Sequence, residues 1–121
     1  VICSNELGRE AEDFAVKFLM KNNFQILERN WRSGKAEIDV IATKDKKIHI
    51  IEVKARTSDR VLSPEEAVNT KKIKLLMYAA DAYVCRLDQD FDIQFDIISI
   101  LHRNSRFHLK YIEDAFNSVY Q

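Results

Sequence analysis

Ile48 to Arg56 reads IHIIEVKAR, and the fold turns on this stretch. Its β-branched run of Ile48, Ile50, Ile51 and Val53 has the composition of a buried strand. Glu52 and Lys54 interrupt the run. A carboxylate or ammonium in a strand that should bury aliphatics costs free energy unless it is paired, solvated or bound to a metal. Just upstream, Glu37-Ile38-Asp39-Val40-Ile41 is a second strand-like segment, with acids at alternate positions. Side chains alternate along a strand, so Glu37, Asp39 and Ile41 are expected on one face and Ile38, Val40 and Ala42 on the other. By the same rule Ile48, Ile50, Glu52 and Lys54 share a face. With Thr43 and Ile48 paired across the connection, antiparallel counting sets Ile41 opposite Ile50 and Asp39 opposite Glu52. Neighbouring strands lie about 4.8 Å apart, so the two carboxylates could converge on one ion. A one-residue slip would separate them.

Working outward, residues 5–22 are expected to be a helix with Leu7, Ala11, Phe14, Ala15, Phe18 and Leu19 as its apolar stripe, ended by Asn22-Asn23. Glu10 lies on the border of that stripe. Phe24–Trp31 reads as a first strand, Ala36–Thr43 as the second, Lys44–Lys47 as a polar connection and Ile48–Ala55 as the third. Ser63-Pro64-Glu65-Glu66 combines an N-cap, a first-turn proline and a capping-box glutamate. The helix it starts runs to about Arg86, with Ile73, Leu76, Met77, Ala80, Tyr83 and Val84 inward. Ile93–Ile100 reads as a central strand, Arg106–Ile112 as a short strand and Glu113–Tyr120 as a terminal helix. The order is helix, three-stranded meander, helix, strand, with a strand and a helix appended. That is an α/β sandwich around a mixed sheet.

At 121 residues the chain fits one domain, 1–121, large enough to bury a core without staples. Only 2 glycines and 1 proline leave little room for linkers. No apolar run approaches the roughly 18 residues that span a bilayer, so no membrane partner is expected. Cys3 and Cys85 lack metal-ligand spacing and read as free thiols of a reducing cytoplasm, with a single disulfide as the alternative. The opening VICS is too short for a signal peptide, but the chain starts without Met, which leaves room for a removed segment. The net charge of zero speaks against a protein that merely coats nucleic acid. Its distribution is uneven: residues 21–74 carry 13 basic and 8 acidic side chains, an excess of five positive charges, while both flanks are acidic. This is either scatter on a solvated surface or a basic patch that tracks phosphates.

Asp39 and Glu52 are hard oxygen donors of the kind Mg²⁺ takes, with waters and phosphate oxygens completing its shell. Lys54 on the same face would meet negative charge developing on a phosphodiester. The competing reading is a strand-end ion pair of Glu52 with Lys54 and a solvated edge acid at Asp39.

Several motifs in order along the chain resemble the YraN-like family of uncharacterised bacterial proteins, within the PD-(D/E)XK nuclease superfamily. They are Gly8-Arg9-Glu10-Ala11, Arg29-Asn30, Glu37 to Ala42, Glu52-Val53-Lys54 with Arg56, Pro64 to Val68, Lys71, Phe95 to Ile98 and Ile112 to Phe116. The resemblance implies a restriction-endonuclease-like αβββαβ core with a mixed central sheet flanked by helices. It implies Asp39 and Glu52 as the catalytic acids, Lys54 as the lysine and Glu10 as a helix glutamate added to the site. The backbone carbonyl of Val53 becomes a further metal ligand, and Lys71 and Arg56 become substrate contacts. Ala36 and Leu62 stand where the family tends to have glycine, and Ala55 where threonine is common. The implied protein is a cytoplasmic Mg²⁺- or Mn²⁺-dependent endonuclease on DNA, acting on branched or recombination intermediates, with a homodimer allowed. The alternative is a non-catalytic nucleic-acid-binding or protein-interaction module of a repair assembly.

Overall fold

The computed structural model describes residues 4–57, 70–87 and 89–116. Helix α1 (Ser4–Lys21) leads into β1 (Gln25–Ser33), β2 (Ala36–Lys44) and β3 (Lys47–Arg56). Helix α2 (Thr70–Val84) follows, then β4 (Asp92–Arg103) and β5 (Arg106–Phe116). The start expected for α2 at Ser63-Pro64 lies outside the described residues. The five strands form one mixed sheet in sequence order, with β3 parallel to β4 and every other neighbour antiparallel. A parallel pair cannot be joined by a tight turn, so α2 sits in the long connection between β3 and β4.

The helices cover opposite faces of the sheet. Ala11, Ala15 and Leu19 of α1 pack on Val40, Ala42, Ile51, Ile98 and Ile100. On the other face, Ile73, Leu76, Ala79, Ala80 and Tyr83 of α2 pack on Ile41, Ile48, Ile50 and Ile97. Both predicted stripes are therefore core, although Phe14 lies at the margin of α1, 36 % exposed, against Phe107. The α1 helix stops where Asn23 turns left-handed (φ 69°) and Phe24 N–H closes back on the Leu19 carbonyl at 3.0 Å. Asn22 also reaches back, its Nδ2 donating to the Phe18 carbonyl at 2.8 Å. Among the described residues no helix is long and apolar enough to cross a membrane.

The β2–β3 connection is tighter than the four residues expected. Lys44 pairs with Lys47 around Asp45-Lys46, both left-handed, the geometry of a two-residue type I′ hairpin. Two further expectations need correction. Ile38 belongs to the α2 cluster with Ile41, three residues on, whereas Val40 and Ala42 belong to the α1 cluster. Strict alternation therefore does not hold across Asp39. The second correction is at the end of the chain: Glu113 to Phe116 continue β5 and are not helical. The Asp114 N–H donates to Asp96 Oδ1 at 2.9 Å, and Phe116 pairs with Phe95 with its side chain buried. A register shift between Phe95 and Ile97, with Asp114 at φ 51°, takes up the extra residues as a bulge. Helical periodicity in a short segment yields here to pairing with a buried strand.

Candidate active site

Strands β2 and β3 are hydrogen-bonded from the turn as far as Val40 with Ile51. Thr43–Ile48 and Ile41–Ile50 are paired as the sequence predicts. Beyond Val40, β2 goes on pairing with β1 and β3 goes on pairing with β4. The Val53 N–H, which a continuing ladder would have used, donates instead to Asp39 Oδ2 at 2.8 Å. The carboxylate satisfies an amide left over where the strands part. Asp39 and Glu52 do not end up as a bonded backbone pair, yet both line one cavity of about 370 Å³ with Lys71, Lys72, Leu75 and Leu76 of α2.

Glu52 is 5 % exposed. Its Oε2 is fully buried and accepts no hydrogen bond among the described residues. Two ammonium groups stand near it: Lys72 Nζ at 3.3 Å from Oε2, and Lys54 Nζ at 4.0 Å from Oε1. Burial, and next the adjacent Glu52 carboxylate, push the Asp39 carboxyl up to about 7. Burial and contact with Lys72 lower the pKa of Lys54. Burial also works against charge on Lys72, but Glu52 more than offsets it and holds that ammonium above its ordinary value. The pocket thus contains two acids too close to ionise together at no cost, with lysines drawn in as counter-charges.

Of the residues singled out from the sequence, Asp39, Glu52 and Lys54 meet as expected. Val53 meets Asp39 through its amide. Lys71 is exposed and lines the cavity from α2. Arg56 is half-buried at the end of β3, in register with Leu101. Glu10 is not brought to the pair: it is exposed on α1, whose core residues lie on the other face of the sheet. The neighbouring Glu12 and Asp13 instead bind Arg29 at 3.2 and 2.8 Å.

Lys72 is the site residue that the sequence motifs do not single out. Its position carries a usable signal, because Lys72, Leu76, Ala79 and Tyr83 recur at helical spacing and the last three are buried. A lysine at the head of a core stripe must reach an anion or water. Replacing Lys72 by Met should cost about 1 kcal/mol in a urea titration without divalent metal, since the lysine is partly in water. Adding Glu52→Gln should recover most of that loss, because the buried charge that needed Lys72 is gone.

Among the described residues no group of three or more His, Cys, Asp or Glu side chains is arranged to hold a metal ion. The donor set is a carboxylate pair, and one or two carboxylates are what Mg²⁺ usually draws from a protein. The buried Glu52 carboxylate, which already draws in Lys72, and the raised pKa of Asp39 fit such an ion.

Comparison with known proteins places the chain among relatives of its own length. The profile of the uncharacterised protein family UPF0102 matches residues 11–100. A UPF0102 protein of Parabacteroides distasonis is 42 % identical over 112 residues, covering 93 % of each chain. One from Flavobacterium psychrophilum is 45 % identical over 112 residues, 93 % of this chain and 94 % of its own. Another from Porphyromonas gingivalis is 38 % identical over 97 residues, 80 % of this chain and 72 % of its own.

Proposed function

The chain belongs to the uncharacterised protein family UPF0102, and we propose that its Asp39 and Glu52 hold Mg²⁺ or Mn²⁺ for the hydrolysis of DNA phosphodiesters. The observation that carries this reading is the buried Glu52 carboxylate, with the Lys72 and Lys54 ammonium groups as its counter-charges, beside a second carboxyl, Asp39, with a raised pKa. A fold that retains two mutually repelling buried acids favours a role in which a cation joins them. The order α1-β1-β2-β3-α2-β4 is like the restriction-endonuclease core, and membership of the PD-(D/E)XK superfamily is part of this proposal.

When bound, a divalent ion polarises a phosphate oxygen and lowers the pKa of a coordinated water. The chain's own residues divide the remaining work. Asp39 has one oxygen fixed by the Val53 amide, which orients the other. Glu52 offers its carboxylate, whose Oε2 is ion-paired with Lys72, and the Val53 carbonyl is the further ligand. Lys54 and Lys72 supply positive charge for the negative charge that builds on phosphorus. Lys54, with its lowered pKa, is the better suited of the two to exchange a proton with water. Exposed Lys71 meets the DNA backbone, with Arg56 as a second contact. Glu10 has no part in the chemistry unless substrate brings α1 into play. A cytoplasmic protein acting on branched DNA, alone or as a homodimer, is the setting this reading implies.

The test is direct. Wild type, Asp39→Ala and Glu52→Ala are incubated with branched and linear DNA in Mg²⁺ or Mn²⁺. Cleavage by wild type alone is the expected result. Binding without cleavage by all three would leave a non-catalytic nucleic-acid module, and neither binding nor cleavage would leave a protein-interaction domain.

A further inference from the structure

A larger cleft, about 440 Å³, opens at the end of α1 beside the β2–β3 turn and β5. His49 lines it, and its position between Ile48 and Ile50 puts it on the face opposite the carboxylate pair. Phe24 and Tyr111, packed against the α1 cluster, provide its aromatic wall. Their rings lie within 27° of parallel with centroids 6.1 Å apart, and His49 meets the Phe24 ring edge-on at 4.9 Å. Lys44 Nζ stands 5.0 Å from the centre of the Phe24 ring, and Lys47 Nζ is 3.1 Å from Gln94 Oε1.

We propose that this cleft binds a nucleotide, its base against the Phe24–Tyr111 wall and its phosphate met by Lys44 and Lys47. Three observations select that ligand. The volume lies within the range of about 300–1,000 Å³ usual for small-molecule sites. The charges held inside are positive: Lys44 and Lys47 are half-buried, whereas Asp45 and Glu113 are exposed at the rim. Buried Asp96 does not offset them towards a ligand, because its oxygens are taken by His49, Tyr111, Gln94 and the Asp114 amide. A cationic ligand would be repelled by both lysines, while an anionic one gains them. The third observation is His49. Its Nδ1 is 2.7 Å from Asp96 Oδ2, which fixes the ring, and Nε2 has no protein partner among the described residues. In the neutral ring with Nδ1 donating to Asp96, Nε2 accepts from a base N–H, a polar reader beside an aromatic wall. A free nucleotide and one unit of a nucleic-acid strand share this chemistry.

The inference is independent of the metal reading, so the titration is run in EDTA. Labelled protein is titrated with 5′-AMP, adenosine, inorganic phosphate and a thymidine tetranucleotide while amide and ring resonances are followed. AMP should shift Phe24, His49 and Tyr111, and adenosine or phosphate alone should bind about tenfold more weakly or worse. Lys44→Glu should weaken AMP about tenfold, with Lys47→Gln as the second variant should the first lose its native spectrum. Tighter binding of the tetranucleotide supports a strand as the source, and equal or weaker binding supports a free nucleotide. The proposal is overturned if about 5 mM AMP leaves these residues unmoved. Shifts confined to the Asp39–Glu52 cavity, phosphate binding as tightly as AMP, or unchanged affinity in both lysine variants would also overturn it.

Discussion

Asp39→Asn should make the metal-free protein more stable at pH 8 while reducing any metal-dependent cleavage to background. The carboxyl of Asp39 titrates near 7 in the folded chain against an ordinary value of 3.8. The folded state therefore holds this proton more tightly than the unfolded state does. The contribution of Asp39 is most favourable below the unfolded value and is lost as pH rises through 7. At pH 8 Asp39 is ionised and its charge is opposed by the neighbouring Glu52. Asparagine removes one charge and keeps an oxygen to accept the Val53 N–H. The expected gain is about 1–3 kcal/mol, or roughly 5–10 °C in thermal midpoint. The gain should shrink towards pH 5, where wild-type Asp39 is already mostly protonated, and added Mn²⁺ should raise the midpoint of wild type more than that of the variant. A variant no more stable than wild type at pH 8 would show that Lys54 and Lys72 already neutralise the pair. Stability gained by deleting a polar group with loss of activity is the usual mark of a functional site.

Asp96→Ala should have the opposite character, a large loss of stability at every pH near neutrality. Asp96 is fully buried and accepts from His49, Tyr111, Gln94 and the Asp114 amide. Burial alone would raise its pKa, but the hydrogen bonds from His49 and Tyr111 outweigh it and hold the carboxyl below its ordinary value. Removing it strands donors on three strands at once and loosens the bulge that brings Phe116 against Phe95. The cost should be about 3–5 kcal/mol in urea or thermal unfolding. Tyr111→Phe, which removes one donor, should cost about 1 kcal/mol. A loss below about 1 kcal/mol for Asp96→Ala would mean that water replaces the carboxylate and that the network does not clamp β5. In wild type the sign is that of a depressed carboxylate: this contribution is present above the ordinary carboxylate range and is lost as pH falls through the still lower folded value. Asp39 and Asp96 thus act in different windows, the first between about pH 4 and 7, the second in more acidic solution.

Much of the fold and of the acid pair is legible in the sequence. Period-3.6 stripes locate both helices, period-2 runs locate the strands, and the short polar connection fixes the register at Thr43–Ile48 and Ile41–Ile50. Glu52 and Lys54 are conspicuous because charge in a buried run needs a reason. Asp39 follows by counting across the hairpin. Glu10 shows the limit of such counting. A position on the edge of a helix stripe does not say which face of the sheet the helix will cover, and α1 covers the face away from the acids.

The features legible in the sequence are local: the element types as far as residue 112, the helix stripes, the β2–β3 register and the closeness of two acids 13 positions apart on a hairpin. Their spacing follows from fixed strand and helix geometry, which any short window of residues carries. The remaining contacts form only when the layers pack. Packing placed the Asp39 carboxylate on the Val53 amide, Lys72 against Glu52, and residues 113–116 in a strand instead of a helix. It also joined His49 to Asp96, 47 residues away, and Asp96 to the Asp114 amide, 18 residues away. Those contacts arise because a buried charge or amide left without a partner is costly wherever it lies in the chain. Each was satisfied by whichever group the folded layers brought near, and no periodicity in the sequence records that choice.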